Sequence, residues 1–191
     1  MKTIHLFRHL AFGLTAALAT STSYAQNAPA TPKQMIPPNP QSRTLLAAKP
    51  SPAAKATGKV GASDVTVAYS SPAVKGRPIW GGLVPYGQVW RAGANEATTV
   101  EFSKAVTVEG KALPAGKYGF FVIPTEKQWT VIFNKVPNQW GAYEYSEKQD
   151  ALRVTVTPRK AASMAERLVY EVKPTGLVLR WENLEALVTI K

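Results

Sequence analysis

Asp64-Val65-Thr66-Val67-Ala68-Tyr69-Ser70 sets Val65, Val67 and Tyr69 on one side of an extended chain and Thr66, Ala68 and Ser70 on the other. Successive side chains of a strand point to opposite faces, so this alternation makes one apolar face to bury and one smaller, more polar face. A helix would scatter the same three large residues around its circumference. The stretch reads as a half-buried antiparallel strand.

Downstream the pattern recurs. Residues 98–103 put Val100 and Phe102 on one face, and Val106-Thr107-Val108 runs into a turn at Glu109-Gly110-Lys111. Leu113-Pro114-Ala115-Gly116 leads into residues 118–123, while 129–134 alternate Trp129, Val131 and Phe133. Leu152, Val154 and Val156 follow, then Leu168, Tyr170 and Val172, then Leu177, Leu179 and Trp181, and finally Val188 and Ile190. Gly, Pro and Asn punctuate these runs, as they do strands joined by turns. The one helical competitor is 161–167, a turn or two at most. About eight to ten strands with one apolar face each must bury those faces against one another, which predicts an all-β antiparallel β-sandwich of jelly-roll type over residues 58–191.

Upstream the composition changes. Residues 26–57 hold seven of the 15 prolines, seven alanines and no acidic residue, with Pro37-Pro38-Asn39-Pro40 at their centre. So few large apolar groups cannot offset the entropy of ordering, so the segment is expected to be a disordered basic arm carrying Lys33, Arg43, Lys49 and Lys55. Before it, Lys2 and Arg8 precede an uncharged run of ten residues at 10–19, and Ser23-Tyr24-Ala25 supplies small residues at a cleavage site. That order is expected of a secretory signal peptide over residues 1–25, cut after Ala25, and hence of a periplasmic or secreted protein. The run is far shorter than a transmembrane segment, and no cysteine follows it to carry a lipid.

Cleavage would remove both histidines, His5 and His9, and two basic residues, leaving 21 basic against 12 acidic, a formal +9. The domain from 58 onward holds 17 basic and 12 acidic residues. With no cysteine there is no disulfide framework, so stability must come from an ordinary core. With neither His nor Cys there is no Ser-His-Asp triad, no thiolate nucleophile and no His- or Cys-ligated zinc. Ser71 and Lys75 are spaced four apart, one too many for a Ser-x-x-Lys nucleophile. Two aspartates, Asp64 and Asp150, make no calcium loop. No cofactor or metal is expected, and export together with dispersed basic residues disfavours nucleic acid.

Two segments break the alternation. Residues 71–96 carry five glycines, three prolines, Trp80, Tyr86 and Trp90, with only 88–91 resembling a short strand; residues 134–150 carry Trp140, Tyr143 and Tyr145. Long loops in compact domains are commonly functional, and aromatic residues argue against disorder. Arg77, Arg91, Asn95 and Glu96, beside Trp80, Trp140 and Tyr143, are the candidate ligand-binding residues. A guanidinium, an amide and a carboxylate next to aromatic faces suit a sugar or an anion. The competing reading makes Arg91 and Glu96 a buried pair that satisfies an irregular loop. Trp129 and Trp181 lie in phase with strand faces, and Trp90 follows Val89 in a short strand-like run, so all three are expected in the core. Glu96 with Glu144, Glu147 or Asp150 is the carboxylate pair a glycosidase would need.

The stretch Lys75-Gly76-Arg77-Pro78-Ile79-Trp80-Gly81-Gly82-Leu83-Val84-Pro85-Tyr86-Gly87-Gln88-Val89-Trp90-Arg91-Ala92-Gly93-Ala94-Asn95-Glu96 closely resembles the signature of an exported bacterial family known as domain of unknown function 2911. Leu113-Pro114-Ala115-Gly116-Lys117-Tyr118, Gln139-Trp140-Gly141-Ala142-Tyr143 and Trp181-Glu182-Asn183 are similar to its later landmarks, from about residue 51 to the end. The resemblance implies an exported β-rich domain and carries no catalytic residue with it. The expected function is non-catalytic binding of a ligand or envelope component, a glycan or other anionic group. The alternatives are a carboxylate-based hydrolase of envelope glycans and a purely structural envelope module.

Overall fold

The computed structural model describes residues 50–191, so residues 1–25, read as a signal peptide, and most of the segment read as an arm lie outside the described residues. Ten strands occur among them: β1 (Ala53–Val60), β2 (Ser63–Ser70), β3 (Thr98–Phe102), β4 (Val106–Val108), β5 (Lys111–Leu113), β6 (Gly116–Pro124), β7 (Trp129–Asn134), β8 (Asp150–Val156), β9 (Arg159–Lys173) and β10 (Gly176–Thr189). A single 3-10 turn, Glu147–Gln149, is the one helical element there. The antiparallel all-β expectation is met. No helix among the described residues is long and apolar enough to cross a membrane.

The layers are unequal. Six strands form one sheet in the order β1-β2-β3-β6-β7-β8, and the long hairpin β9–β10 forms the other. Register explains which residues go inward. Val67 stands opposite Val100, Val100 opposite Tyr118, Phe120 opposite Phe133, and Val131 opposite Val154. That face meets Leu168, Tyr170, Leu177, Leu179 and Trp181 of the hairpin in one continuous core. Burying each such large apolar side chain contributes about 1.5–3 kcal/mol, so the core supplies what disulfides would supply elsewhere. The short hairpin β4–β5 closes one end, its Thr107 exchanging both backbone bonds with Lys191 at 2.8 and 2.9 Å.

Two local expectations change. Residues 53–57, read as the end of the arm, pair with β2 from Ala53↔Ser70 through Thr57↔Thr66 as part of β1. The strand alternates lysines and threonine with alanines and Gly58, a polar-out pattern whose inward residues are too small to register as apolar. Smallness is required there: a Cβ on Gly58 would lie 2.8 Å from Cγ1 of Val172. Residues 161–167 are strand, not helix, because the ladder to β10 and the bridge from Ala73 to Arg167 fix them in extended form. Non-local pairing overrides the helical preference of Ala, Met and Glu.

Candidate functional site

Segment 71–96 is drawn inward by its apolar residues. Ile79, Val84, Trp90 and Ala92 are buried, and a single bridge joins Trp90 to Val122 where a short strand was expected. Trp80 packs against Trp129, Trp90 and Trp181 at ring-centroid separations of 4.5, 5.7 and 6.1 Å. It is part of an indole cluster rather than an open platform, while Trp90, Trp129 and Trp181 occupy the core as expected.

The loop bends at Ala92, buried with φ 51°, in the left-handed region that L-residues enter at a cost of about 1–2 kcal/mol. Two hydroxyls hold it: Thr98 Oγ1 donates to the Ala92 carbonyl at 3.0 Å and the Tyr170 hydroxyl donates to it at 2.7 Å. Burial pushes the Tyr170 phenol well above its usual range, so it remains a donor throughout physiological pH. Gly93 follows where a Cβ would lie 2.7 Å from Thr98 Oγ1. Asn95 makes a second left-handed turn at φ 58°, and its Nδ2 donates to the Ser51 carbonyl at 3.2 Å and to Ser70 Oγ at 3.1 Å.

This bend opens a cavity of about 300 Å³ lined by Arg77, Arg91, Asn95, Trp90, Trp181 and Leu83, among others. Arg77 spends Nε on the Val74 carbonyl and Nη2 on the Ala73 carbonyl, bracing its own loop. Arg91 is different. It is half-buried, its Nε is shielded from solvent without a partner, and no described side chain bonds its guanidinium. A shielded donor left unpaired is costly, by roughly 1–3 kcal/mol, and persists where something else requires it. Among the described residues, no carboxylate lines this cavity.

Glu96 turns away from it. Ala97 N donates to the Gln139 carbonyl at 3.0 Å and Gly141 N to the Asn95 carbonyl at 3.1 Å, so Glu96 and Trp140 face each other as an antiparallel pair. The two long segments therefore do meet, but the candidate residues divide. Arg77, Arg91 and Asn95 line the end cavity, whereas Glu96 and Trp140 line a hollow of about 310 Å³ on the outward face of the six-stranded sheet. Tyr143 is 87% exposed and lines neither.

Segment 134–150 is held by polar bonds. Asp150 Oδ2 accepts from Tyr145 at 2.7 Å and from Arg153 Nε at 2.6 Å, and its Oδ1 accepts from Asn134 Nδ2 at 2.8 Å. Arg153 also pairs with Glu147 at 3.0 Å. Burial and the bond to Asp150 push the Tyr145 phenol up to about 12, against the opposing pull of Arg153. Asp150 and Glu147, two of the carboxylates considered as partners for Glu96, are thus committed to Arg153. Among the described residues, no group of three or more His, Cys, Asp or Glu could hold a metal ion.

Sequence reading missed Gln139, whose side chain is buried, and the small floor residues Ala53, Ala68 and Thr99 of the outer hollow. Only Gln139 left a signal, as a polar residue between Asn138 and Trp140 in an aromatic loop. A family model described as "Protein of unknown function (DUF2911)" matches residues 51–190. No curated protein and no solved structure matches the chain.

Proposed function

The chain belongs to that family, and we propose that its domain is a non-catalytic binding module of an exported protein, periplasmic or secreted after cleavage following Ala25, whose ligand is an anionic group such as an acidic glycan or another anionic envelope component. The observation that carries this reading is the unpartnered guanidinium of Arg91 in a cavity that also holds Arg77 and, among the described residues, no carboxylate. Guanidinium groups present planar donors that match carboxylate and phosphate oxygens. A purely structural loop would have used Arg91 to satisfy carbonyls, as Arg77 does. Hydrolysis by paired carboxylates finds less support, because each hollow lined by Glu96 has that one acidic residue.

Titration calorimetry of the full chain with trigalacturonate, inorganic phosphate and neutral maltotriose tests the assignment. Binding of at least one anion is expected, weakening with salt and falling about tenfold or more in Arg91→Ala, the loss of one charge-assisted bond. Arg91→Ala that keeps full affinity for the anion, or maltotriose binding that Arg91→Ala weakens equally, would overturn it. Intact mass of the exported protein beginning at Gln26 checks the localisation.

A further inference from the structure

The end cavity has a second character besides its charge. Pro72, Leu83, Val84, Trp90 and Trp181 line it together with Arg91. Pro72, Val84, Trp90 and Trp181 are buried and belong to the packed interior, whereas Leu83 is 47% exposed. A guanidinium and a set of apolar walls therefore share one small space, about 300 Å³, at the lower limit for small-molecule pockets.

The exposure of Leu83 is imposed by the turn that carries it. Leu83 N donates to the Pro78 carbonyl at 3.0 Å, and Gly82 N and Val84 N both donate to the Ile79 carbonyl, at 3.2 and 2.9 Å. Gly81 takes φ 79°, and a Cβ on Gly82 would lie 2.6 Å from the Pro78 carbonyl oxygen, so the turn has no slack. With Ile79 and Val84 sunk into the core, Leu83 is left at the surface beside the cavity. The polar groups of the cavity are largely committed. Asn95 Nδ2 serves Ser51 and Ser70, the Trp90 indole N–H donates to the Gly93 carbonyl at 3.2 Å, and Arg77 spends Nε and Nη2 on its own loop. Arg91 remains for a ligand.

We infer that the ligand of this cavity is a carboxylate borne on an apolar body, an aromatic ring or a short alkyl chain, with the carboxylate on Arg91 and the body against Leu83, Trp90 and Trp181. The inference rests on the anion reading proposed above and specifies what the anion is attached to. A sugar acid would bring hydroxyls against these walls, and each would lose water without gaining a bond. A ring or a methylene chain gains there instead, since apolar area leaves water on both partners. The small volume favours one ring over an oligomer.

The test is heteronuclear NMR titration of the full chain with hexanoate, phenylacetate and glucuronate, which share one carboxylate, and with 1-hexanol, which has none. Hexanoate or phenylacetate is expected to shift the Leu83 methyl and Trp181 indole signals in a saturable way and to bind about tenfold tighter than glucuronate. Whichever of the two binds tighter identifies the body as alkyl or aromatic. Leu83→Ala should weaken that acid about fourfold, the weight of one buried methylene, and leave the weaker glucuronate binding unchanged. Arg91→Ala should weaken every acid. Leu83 is half exposed, so its variant should fold, and an unchanged melting temperature confirms this. Glucuronate bound as tightly as the apolar acids, or Leu83→Ala leaving their advantage intact, would overturn the inference while the anion reading stands. Hexanol binding here as tightly as the apolar acids would overturn both. Binding by none of the acids would also overturn the inference, and the phosphate and trigalacturonate titrations then decide the anion reading separately.

Discussion

The two long segments, 71–96 and 134–150, interrupt the same alternating pattern and carry similar numbers of aromatic rings, yet different forces hold them. The first is a piece of the core. Ile79, Val84 and Trp90 sink between the layers, and the stacked pair Trp90–Trp181, at 5.8 Å, joins the loop to the hairpin. The second rides on the outer face of the sheet, where Ala142 and Tyr145, themselves only partly buried, pack against the buried Phe121 and Ile132. Its shape comes from the network of Asn134, Asp150, Tyr145 and Arg153. Apolar burial neither titrates nor is screened by salt, whereas charge-assisted bonds respond to both pH and ionic screening. The comparison therefore forecasts two loops of distinct sensitivity around the same junction.

The largest effect should come from the first loop. Trp90→Ala removes a 9%-exposed indole and leaves a cavity beside Trp80 and Trp181, costing about 3–5 kcal/mol. Urea unfolding would measure it. A loss under about 1 kcal/mol would mean the loop is not part of the core.

Next comes the polar network. Asp150→Ala strands the Tyr145 hydroxyl, the Asn134 amide and the Arg153 guanidinium together. Because the Arg153 side chain is 32% exposed and water can replace part of the loss, about 2 kcal/mol is expected rather than the full cost of breaking a buried pair. Faster hydrogen exchange confined to 134–150, with β3 and β6 unchanged, would localise it. Global acceleration would erase the distinction between the loops.

Smaller effects follow from pH. The domain from residue 58 onward holds no histidine, so between about pH 5 and 8 its melting temperature should be nearly flat. Burial alone would raise the carboxyl of Glu185, but hydrogen bonds and charge from Arg159 and Arg180 hold it below its ordinary 4.5. Its folded value lies under its unfolded one, so its contribution is full above that range and is lost as pH falls through the folded value. Tyr145 acts at the other limit. Its folded phenol keeps its proton up to about 12, above the ordinary 10, so its contribution is full below 10 and declines as pH rises from there through about 12. Tyr145→Phe should shrink that alkaline limb of the melting curve. An unchanged limb would assign it to Tyr118 and Tyr170, whose phenols burial also raises.

The smallest effects are expected at the candidate ligand groups. Arg91→Ala removes a guanidinium with no described partner and should cost about 1 kcal/mol or less. Tyr143→Ala, at an 87%-exposed site, should stay within about 0.5 kcal/mol. Differential scanning calorimetry would resolve both. Unfolding of Arg91→Ala at room temperature would convert that residue from a ligand group into a structural one.

Most strands were legible to within a residue or two where one face was made of large apolar groups, but β9, read from Leu168, begins at Arg159. Val106–Val108 and Trp129–Asn134 occur with the bounds their alternation implies. β1 was not legible, because Ala54, Ala56 and Gly58 fill a place where Val172 leaves no room for more. Leu177–Trp181 and Val188–Ile190, which read as separate strands, are largely one bulged strand, β10, with shifts at Arg180/Glu182 and Glu182/Leu184 breaking the alternation between them. Of the candidate site, the meeting of the two loops was legible from their shared aromatic composition. The division into two hollows was not, since Asn95 and Glu96 are neighbours in sequence and their separation depends on a left-handed φ at Asn95.

The amino-acid sequence by itself determined the class of the fold, the reliance on an apolar core and the absence of His and Cys chemistry from the domain. Those properties follow from composition and from a period of two residues, which are local and need no partner to be read. Tertiary structure alone decided that Trp80 is packed and Trp140 exposed, that Arg77 is spent on its own loop while Arg91 is not, and that Glu96 faces away from both arginines. An aromatic or charged residue in an irregular loop has no period to set its direction. What sets it is the set of surfaces and hydrogen-bond partners brought from far along the chain, here Tyr170, Ser70 and Gln139.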